Sequence, residues 1–564
     1  MRKKLSKYIS LALLIMCMGY ITSCKKDFGT INTNPSLVTT PDVKFLFSYS
    51  EDKLATYKGT EWVWESMEQL WRFTQHITSD PYELSTNVNS RYNAFYSSIV
   101  PNLFEIRRQI STKPDKDSYQ KMAAVTYILQ VLQGIKVSDM NGSIPYSEAD
   151  QGRYKGNYSP VYDTQQSLFD TWLKELTDAI AVLESNSSTQ QSYGASDIYY
   201  GSDWTKWVML ANTLKLRIAA RVENQDQTKT QSIFQEVMKD AIGPISEDDT
   251  QLSYSSVDFL PFGTSGDIDY RSPRYASASI IKFLKASDDP RLPIYFEKND
   301  LQGSFKDTLN KYSVVLPSFI NINDPLIMYQ GGPADWTLAP TYAAFIKTPF
   351  QVGPFTKYFL ISHINRRFFS PRYNGNTSGQ FTDVMVTNAE SCLLVAEFIQ
   401  KGYAGGVDTK GTASDWYNKG VTSSIKTMNN IAIAANSTTG FSGDGTTEIS
   451  TYLNSPEIKL DGANDLERIY IQEYLNLYRN PPEAFVFCRR TGYPKLSSTY
   501  YAREAFNEVI PRRWWTTDPG EVNRSHWSSA LQEEGFTPLA QDVQTLNSER
   551  VWYDKKAPDF GKGN

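Results

Sequence analysis

Apolar residues recur at the 3.6-residue period of an α-helix through most of this 564-residue chain, and that recurrence limits its possible folds more than any other feature. Val125, Ile128, Leu129, Leu132 and Ile135 fall on one helical face. So do Phe169, Trp172, Leu173, Leu176, Ile180 and Leu183, and again Trp207, Leu210, Ala211, Leu214 and Ile218. Further helices are expected at 44–58, 60–78, 89–111, 228–241, 276–286, 383–403, 413–435, 463–479 and 480–490, several in adjacent pairs. A helix with one apolar stripe must bury it against a neighbour, so adjacent pairs point to a mostly α, solenoid-like scaffold. Ile399-x-x-Gly402-Tyr403, with Tyr417 and Gly420 in the following helix, loosely matches the small and aromatic packing positions of a tetratricopeptide unit.

The character changes between the two helical regions. Pro and Gly punctuate Leu260 to Pro273, Leu316 to Pro340 and Pro349 to Gly379. Loops beyond ~15 residues are usually functional or disordered, and the aromatic residues here favour ordered ones. Asn436 to Thr447, rich in Gly, Ser and Thr, reads as a surface loop. Aromatic usage is high: Trp 12, Tyr 35 and Phe 28 make 13% of the chain, enough to supply contact surfaces as well as cores.

At the N-terminus Arg2, Lys3, Lys4 and Lys7 precede an apolar run from Ile9 to Met18 that is too short to span a bilayer, the pattern of a secretory signal over residues 1–23. Ile21-Thr22-Ser23-Cys24 follows the lipobox order of aliphatic, small, small, cysteine, which makes Cys24 the expected lipidated residue. Several acyl chains on one residue hold a protein stably to a membrane, at ~0.8 kcal/mol per buried CH₂. Lys25, where an aspartate would favour inner-membrane retention, permits transfer to the outer membrane. Removing residues 1–23 takes away four cations and no acid, so the net charge moves from −5 to −9. With no basic block, capture of nucleic acid phosphates is not expected. Of the four cysteines, only Cys392 and Cys488 remain as free thiols after Cys17 and Cys24 are accounted for. A disulfide framework is thereby excluded, and both thiols sit in apolar runs as expected buried hydrophobes.

Catalytic constellations are mostly absent from the sequence. The three histidines, His76, His363 and His526, form no H-E-x-x-H or clustered set, so no metal site and no cofactor is expected. There is no G-x-S-x-G elbow, and Gly406 to Thr412 resembles a P-loop but has Thr where its Lys is required. Two carboxylates at ~5 to ~10 Å would suffice for a glycosidase, a separation that sequence does not report.

Several stretches, in order along the chain, carry a family resemblance. They are Asp27-Phe28-Gly29-x-Ile31-Asn32-Thr33-Asn34-Pro35; Asp139 to Ala149; Asp203-Trp204-Thr205-Lys206-Trp207 running into Ala211 to Arg217; Asp289-Pro290-Arg291-Leu292-Pro293; Glu390 with Ala396-Glu397; Arg489 to Pro494; and Ile510-Pro511-Arg512-Arg513 with Asn523. Together they resemble the SusD/RagB family, surface nutrient-binding lipoproteins of Bacteroidetes. The resemblance implies a single α-helical domain over 24–564. Within it, 24–43 is a tether, 44–250 and 383–564 form a tetratricopeptide-like scaffold with a C-terminal segment, and 251–382 is a loop-rich ligand-binding region. It also implies an outer-membrane protein facing the cell exterior that binds oligosaccharides or peptides and delivers them to a SusC-like TonB-dependent transporter, without catalysis.

A saccharide site needs flat aromatic platforms with amide, hydroxyl and guanidinium groups around them. Tyr329, Gln330 and Trp336 flank Gly331-Gly332-Pro333, Arg372, Tyr373 and Asn374 adjoin Gly375-Asn376, and Tyr82 follows Asp80-Pro81. These are the candidate ligand contacts, with Trp336 foremost. Trp62, Trp172 and Trp207 fall in helical patterns and belong to the core, Trp514 and Trp515 read as structural, and Arg489 and Arg490 read as buried partners of carboxylates. Two other readings compete: a lipid-anchored glycan-degrading enzyme, and a helical-repeat adaptor without a small ligand.

Overall fold

The computed structural model describes residues 41–54, 61–81, 84, 86–186, 189–256, 268 and 274–560. Cys24, the signal segment, most of the 24–43 tether and Tyr82 lie outside the described residues.

The chain is mostly α. In the N-terminal half, α1 (Val43–Leu54), α2 (Val100–Ser111), α3 (Gln120–Asn141), α4 (Gln165–Glu184), α5 (Trp204–Val222) and α6 (Gln227–Lys239) each pack on the next. The mid-chain holds α7 (Ala278–Ala286) and α8 (Pro340–Lys347). Beyond it come α9 (Asn388–Gln400), α10 (Ala413–Ala434), α11 (Thr446–Leu453), α12 (Asp465–Asn476) and α13 (Pro481–Thr491). Helix α9 joins the halves, since it touches α5 and α6 on one side and α10 and α12 on the other. Among the described residues no helix is long and apolar enough to cross a membrane.

Side-chain caps set where these helices start. Thr164, Asp203, Asp226, Thr387 and Asn480 each accept a hydrogen bond from a backbone N–H of the following first turn, and Thr412 with Asp415 forms a complete capping box before α10. Gly142 and Gly492, both at φ +71°, end α3 and α13 in a conformation that side chains with a Cβ rarely adopt.

Two expected helices are corrected. The 60–78 segment winds as a π-helix over Glu61–Leu70 and a short α turn at Trp71–Phe73. It then stops where Gln75 takes φ +58°, and Ile77–Thr78 becomes β1, antiparallel to β3 (Tyr275–Ala276). The 383–403 helix begins only at Asn388, because Phe381–Val386 is β6, paired antiparallel with β2 (Leu252–Ser256). All six β6 residues are buried, Thr382 and Asp383 among them, so the segment lacks the in–out alternation that marks a half-buried strand in a sequence. A third ribbon pairs β4 (Phe350–Gln351) with β5 (Lys357–Tyr358).

The interior divides into two large apolar clusters and one small one. The first surrounds Trp172 and Trp207 among α1 to α5, and the second surrounds Trp62, Trp71 and Trp514 against α9 to α13. The third lies under the mid-chain segments, around Leu301, Leu309, Leu316, Ile346 and Leu360. Cys392 and Cys488 are fully buried, and burial pushes both thiols up, Cys392 to about 12.

A buried ion network ties the helices together, and Asp139, Arg217, Glu390, Glu397 and Arg490 in it belong to the stretches that carry the family resemblance. Arg217 of α5 reaches Glu390 of α9 at 2.5 and 2.7 Å, and Arg221 of α5 reaches Asp139 of α3 at 3.0 Å and Glu483 of α13 at 2.7 Å. Arg490 forks onto Glu397 at 2.7 and 2.8 Å and touches Glu473 at 2.9 Å. Arg489 instead donates to the carbonyls of Arg512 and Asp139. Buried charges demand partners, so these positions serve the scaffold and not a ligand.

Candidate functional site

The mid-chain loops converge on a ridge of half-buried aromatic rings. Pro340 opens α8 at a position where its missing N–H removes no helical bond, and Tyr342 and Phe345, three apart, then share one face. Phe319 stacks on Tyr342 with ring centroids 3.9 Å apart and planes 28° apart, and lies 5.7 Å from Phe345, which in turn meets Phe350 at 5.9 Å edge-on. Trp336 packs beside this group over the third apolar cluster, and all five rings keep solvent-accessible surface. Rings held in mutual contact lose little further entropy when a flat ligand face covers them.

The loop carrying Trp336 is pinned from below. The Trp336 indole N–H donates to Thr78 Oγ1 at 2.7 Å, and that hydroxyl donates to the Pro333 carbonyl at 2.7 Å. Lys347 Nζ stands 5.2 Å from the indole centroid and pairs with Asp80. Gly332 N–H donates to the Ala276 carbonyl at 2.7 Å, and Ala278 N–H to the Gly332 carbonyl at 2.8 Å. This close approach requires Gly331, since a Cβ there would stand 2.5 Å from Ala278 N.

Two carboxylates clasp the same loop to the C-terminal segment. Glu504 accepts the Ala334 N–H at 2.6 Å, and Asp335 accepts the N–H groups of Asn507 and Thr337, both at 2.8 Å. Burial raises the Glu504 carboxyl, with the Ala334 bond opposing. For Asp335 burial also pushes upward, but the bonds from the Thr337 hydroxyl and the Asn507 and Thr337 amides outweigh it, so its carboxyl sits below the usual range. Glu504 accepts from a backbone amide, and Asp335 from two backbone amides and the Thr337 hydroxyl, which suits a loop clasp better than acid–base work on a substrate.

The expected contacts are distributed unevenly. Trp336 stands on the ridge, and Gln330 stands at its edge, donating from Nε2 to the Tyr342 hydroxyl at 3.0 Å. Tyr329 is 5% exposed, its ring packs into the core, and its carbonyl accepts from Lys285 Nζ at 2.9 Å. Arg372, Tyr373 and Asn374 form a turn elsewhere, with Asn374 at φ +55° and the Arg366 guanidinium 4.7 Å from the Tyr373 ring centroid. That turn is anchored through Gln380 N–H to the Ala434 carbonyl at the end of α10, at 2.7 Å. Phe319, Tyr342 and Phe345 were missed by the loop-motif reading. The signal that could have found the last two was their i, i+3 spacing after a Pro at a helix start. Among the described residues no cluster of His, Cys, Asp and Glu is suited to hold a metal ion.

The comparisons with known proteins bear on the whole chain. A family model described as "Starch-binding associating with outer membrane", SusD-like, matches residues 34–515. Among solved structures, a chitin-binding protein superposes with TM-score 0.67 at 21% identity, over 91% of this chain and 100% of its own. A chitin-binding SusD homologue from Flavobacterium johnsoniae gives TM-score 0.63 at 19% identity, over 92% and 100%. A SusD homologue from Bacteroides vulgatus gives 0.64 at 19%, over 92% and 98%. No curated protein matches the sequence. The fold of paired helices, the buried network at the resemblance motifs and a family match spanning nearly all described residues agree, and the chain belongs to the SusD-like family.

Proposed function

We propose that this protein binds an oligosaccharide on the ridge formed by Trp336, Phe319, Tyr342 and Phe345, and delivers it to a SusC-like TonB-dependent transporter. The observation that carries the reading is the ridge itself: Phe319 in ring contact with Tyr342 and Phe345, Trp336 half-buried on the same apolar cluster, and the polar groups of Gln330, Thr337 and Lys347 close by in the chain or in contact with them. Apolar sugar faces stack on such rings while hydroxyls meet amide and ammonium donors at the edge. The starch-binding description of the family and the chitin-binding description of two structural relatives support a neutral glycan over a peptide. In this reading a lipid on Cys24 holds the protein to the outer membrane, facing the cell exterior. The helical scaffold meets the transporter, Tyr82 extends the site, and Arg372, Tyr373 and Asn374 form a secondary contact.

The test is calorimetric titration of residues 25–564 with maltoheptaose, chitohexaose and a mixed peptide panel, with product analysis of each mixture. Saturable heat with one glycan, weakened at least about tenfold in Trp336→Ala and Tyr342→Ala and without hydrolysis, supports the reading. Equal binding in both variants, or turnover of the glycan, would overturn it.

A further inference from the structure

Helices α10 and α11 enclose a trough of about 380 Å³ whose chemistry differs from that of the aromatic ridge. No aromatic residue and no carboxylate lines it. Ser414, Asn418, Thr422 and Lys426 stand along one wall at i, i+4 spacing, so they repeat every ~6 Å over ~18 Å of α10. Ser450 and Asn454 repeat at the same spacing on the facing wall, and Ile449 and Leu453 provide an aliphatic floor. Lys426 acts on Asp444, just before α11, while the Ile458 carbonyl accepts from the Tyr417 hydroxyl near the start of α10 at 2.8 Å, so Lys426 and Lys459 stand toward different ends of the trough.

Within the described residues, the side chains of Ser414, Asn418, Thr422, Lys426 and Lys459 make no hydrogen bond or ion pair with the protein. Asp444 lies near enough to Lys426 for the ammonium to help lower its carboxyl, after its own bonds with Thr446, yet it stands outside the trough. Beside the trough, a second cavity of about 300 Å³ shares Asn418, Thr422 and Lys426 with it and holds Glu247 and Asp248, whose carboxylates are engaged elsewhere: Glu247 pairs with Lys419 at 2.8 Å, and Asp248 accepts from Asn388 at 2.7 Å and from Ser423 at 2.5 Å. A chain of net charge −5 thus presents in one concave surface two lysines whose ammonium groups make no hydrogen bond or ion pair, Lys426 with Asp444 in its neighbourhood.

We propose that this trough is a second ligand site, for an acidic saccharide whose carboxylate or sulfate groups meet Lys426 and Lys459. The hydroxyls and amides between them both donate and accept, as ring hydroxyls do, which a purely anionic partner would not need. The site is independent of the ridge and carries a different class of sugar.

The test uses the full mature chain, titrated with tetragalacturonate and, separately, with a heparin-derived tetrasaccharide, at low and high salt. Saturable binding of either, weakened by salt and reduced at least about tenfold in the Lys426→Gln/Lys459→Gln double variant, supports the site. The tighter of the two probes then identifies carboxylate or sulfate as the recognised group. Trp336→Ala should leave this binding unchanged, which separates it from the ridge. An unchanged melting temperature in the double variant shows that the loss is not one of folding. Silence with both probes, equal binding by the double variant, or loss of binding in Trp336→Ala would overturn the proposal.

Discussion

Gly331→Ala tests whether the scaffold positions the ridge. A Cβ at 331 would lie 2.5 Å from Ala278 N and from Ser277 C, and closer still to Ala278 Cα. These are backbone atoms, so no rotamer change relieves the overlap, and Ala278→Gly should not rescue it. Gly331 lies outside the left-handed region, so the added methyl acts through space and not through φ. The loop must separate from the start of α7, which stretches the bonds Gly332 N–H to Ala276 O at 2.7 Å and Ala278 N–H to Gly332 O at 2.8 Å. Two weakened bonds at about 0.5–1.5 kcal/mol each, with overpacking at about 1–3 kcal/mol, put the local cost at about 2–6 kcal/mol. Because the three apolar clusters remain, the segment should open locally and leave the rest folded. Hydrogen exchange of the 276–278 and 330–338 amides should accelerate, and glycan affinity should fall in proportion to the lost population of the competent loop. Wild-type exchange at Gly332 and Ala278, together with unchanged affinity, would refute the reasoning.

Arg490→Ala strands Glu397, which is fully buried, and should lower stability by about 3–5 kcal/mol by urea titration. Lys401 Nζ, 2.7 Å from Glu397, holds the loss toward the lower figure, and a loss below about 1 kcal/mol would count against the network. Tyr342→Phe removes the hydroxyl that donates to the Gly331 carbonyl and accepts from Gln330, yet keeps the stacked ring. It should destabilise the loop by about 0.5–1.5 kcal/mol while sparing most glycan affinity, readable by calorimetry beside Tyr342→Ala. Glu51 is raised from the usual 4.5 to about 10, first by burial and then by Asp197, so it stays protonated in the folded chain and ionises on unfolding. A raised carboxyl loses stability as pH climbs through that window, so Glu51→Gln should gain on wild type by up to about 4 kcal/mol between pH 5 and pH 8, at about 1.4 kcal/mol per pH unit, in thermal melts. A constant difference across that range would mean that Glu51 does not titrate as described.

Much of the scaffold was legible because amphipathic helices leave a periodic trace. The stripes of α3, α4 and α5 are buried along the faces their spacing indicated, and Trp62, Trp172 and Trp207 are core residues. Segments whose burial was two-sided were less legible. Phe381 to Val386 is buried on both faces although it carries Thr382 and Asp383, and its pairing with Leu252–Ser256 makes it a strand. For the candidate site, the Gly-Gly-Pro neighbours of Tyr329, Gln330 and Trp336 mark a tight loop in the sequence, and the structure has Trp336 half-buried on the third apolar cluster and Gln330 bonded to Tyr342. The sequence could not separate Tyr329 from them, because a ring beside a turn faces inward or outward according to what packs behind it.

By itself the sequence determined the helical class, the family and the chemical character of its loops, since periodicity, ordered motifs and composition are properties of local stretches. Tertiary structure alone decided that residues 319, 336, 342 and 345 form one surface, that Asp335 and Glu504 are clasps, and that Arg490 meets Glu397 and not a ligand. Each of those outcomes depends on backbone segments distant in the chain approaching within a few ångströms, and such closures are fixed by the packing of the whole and not by any one segment.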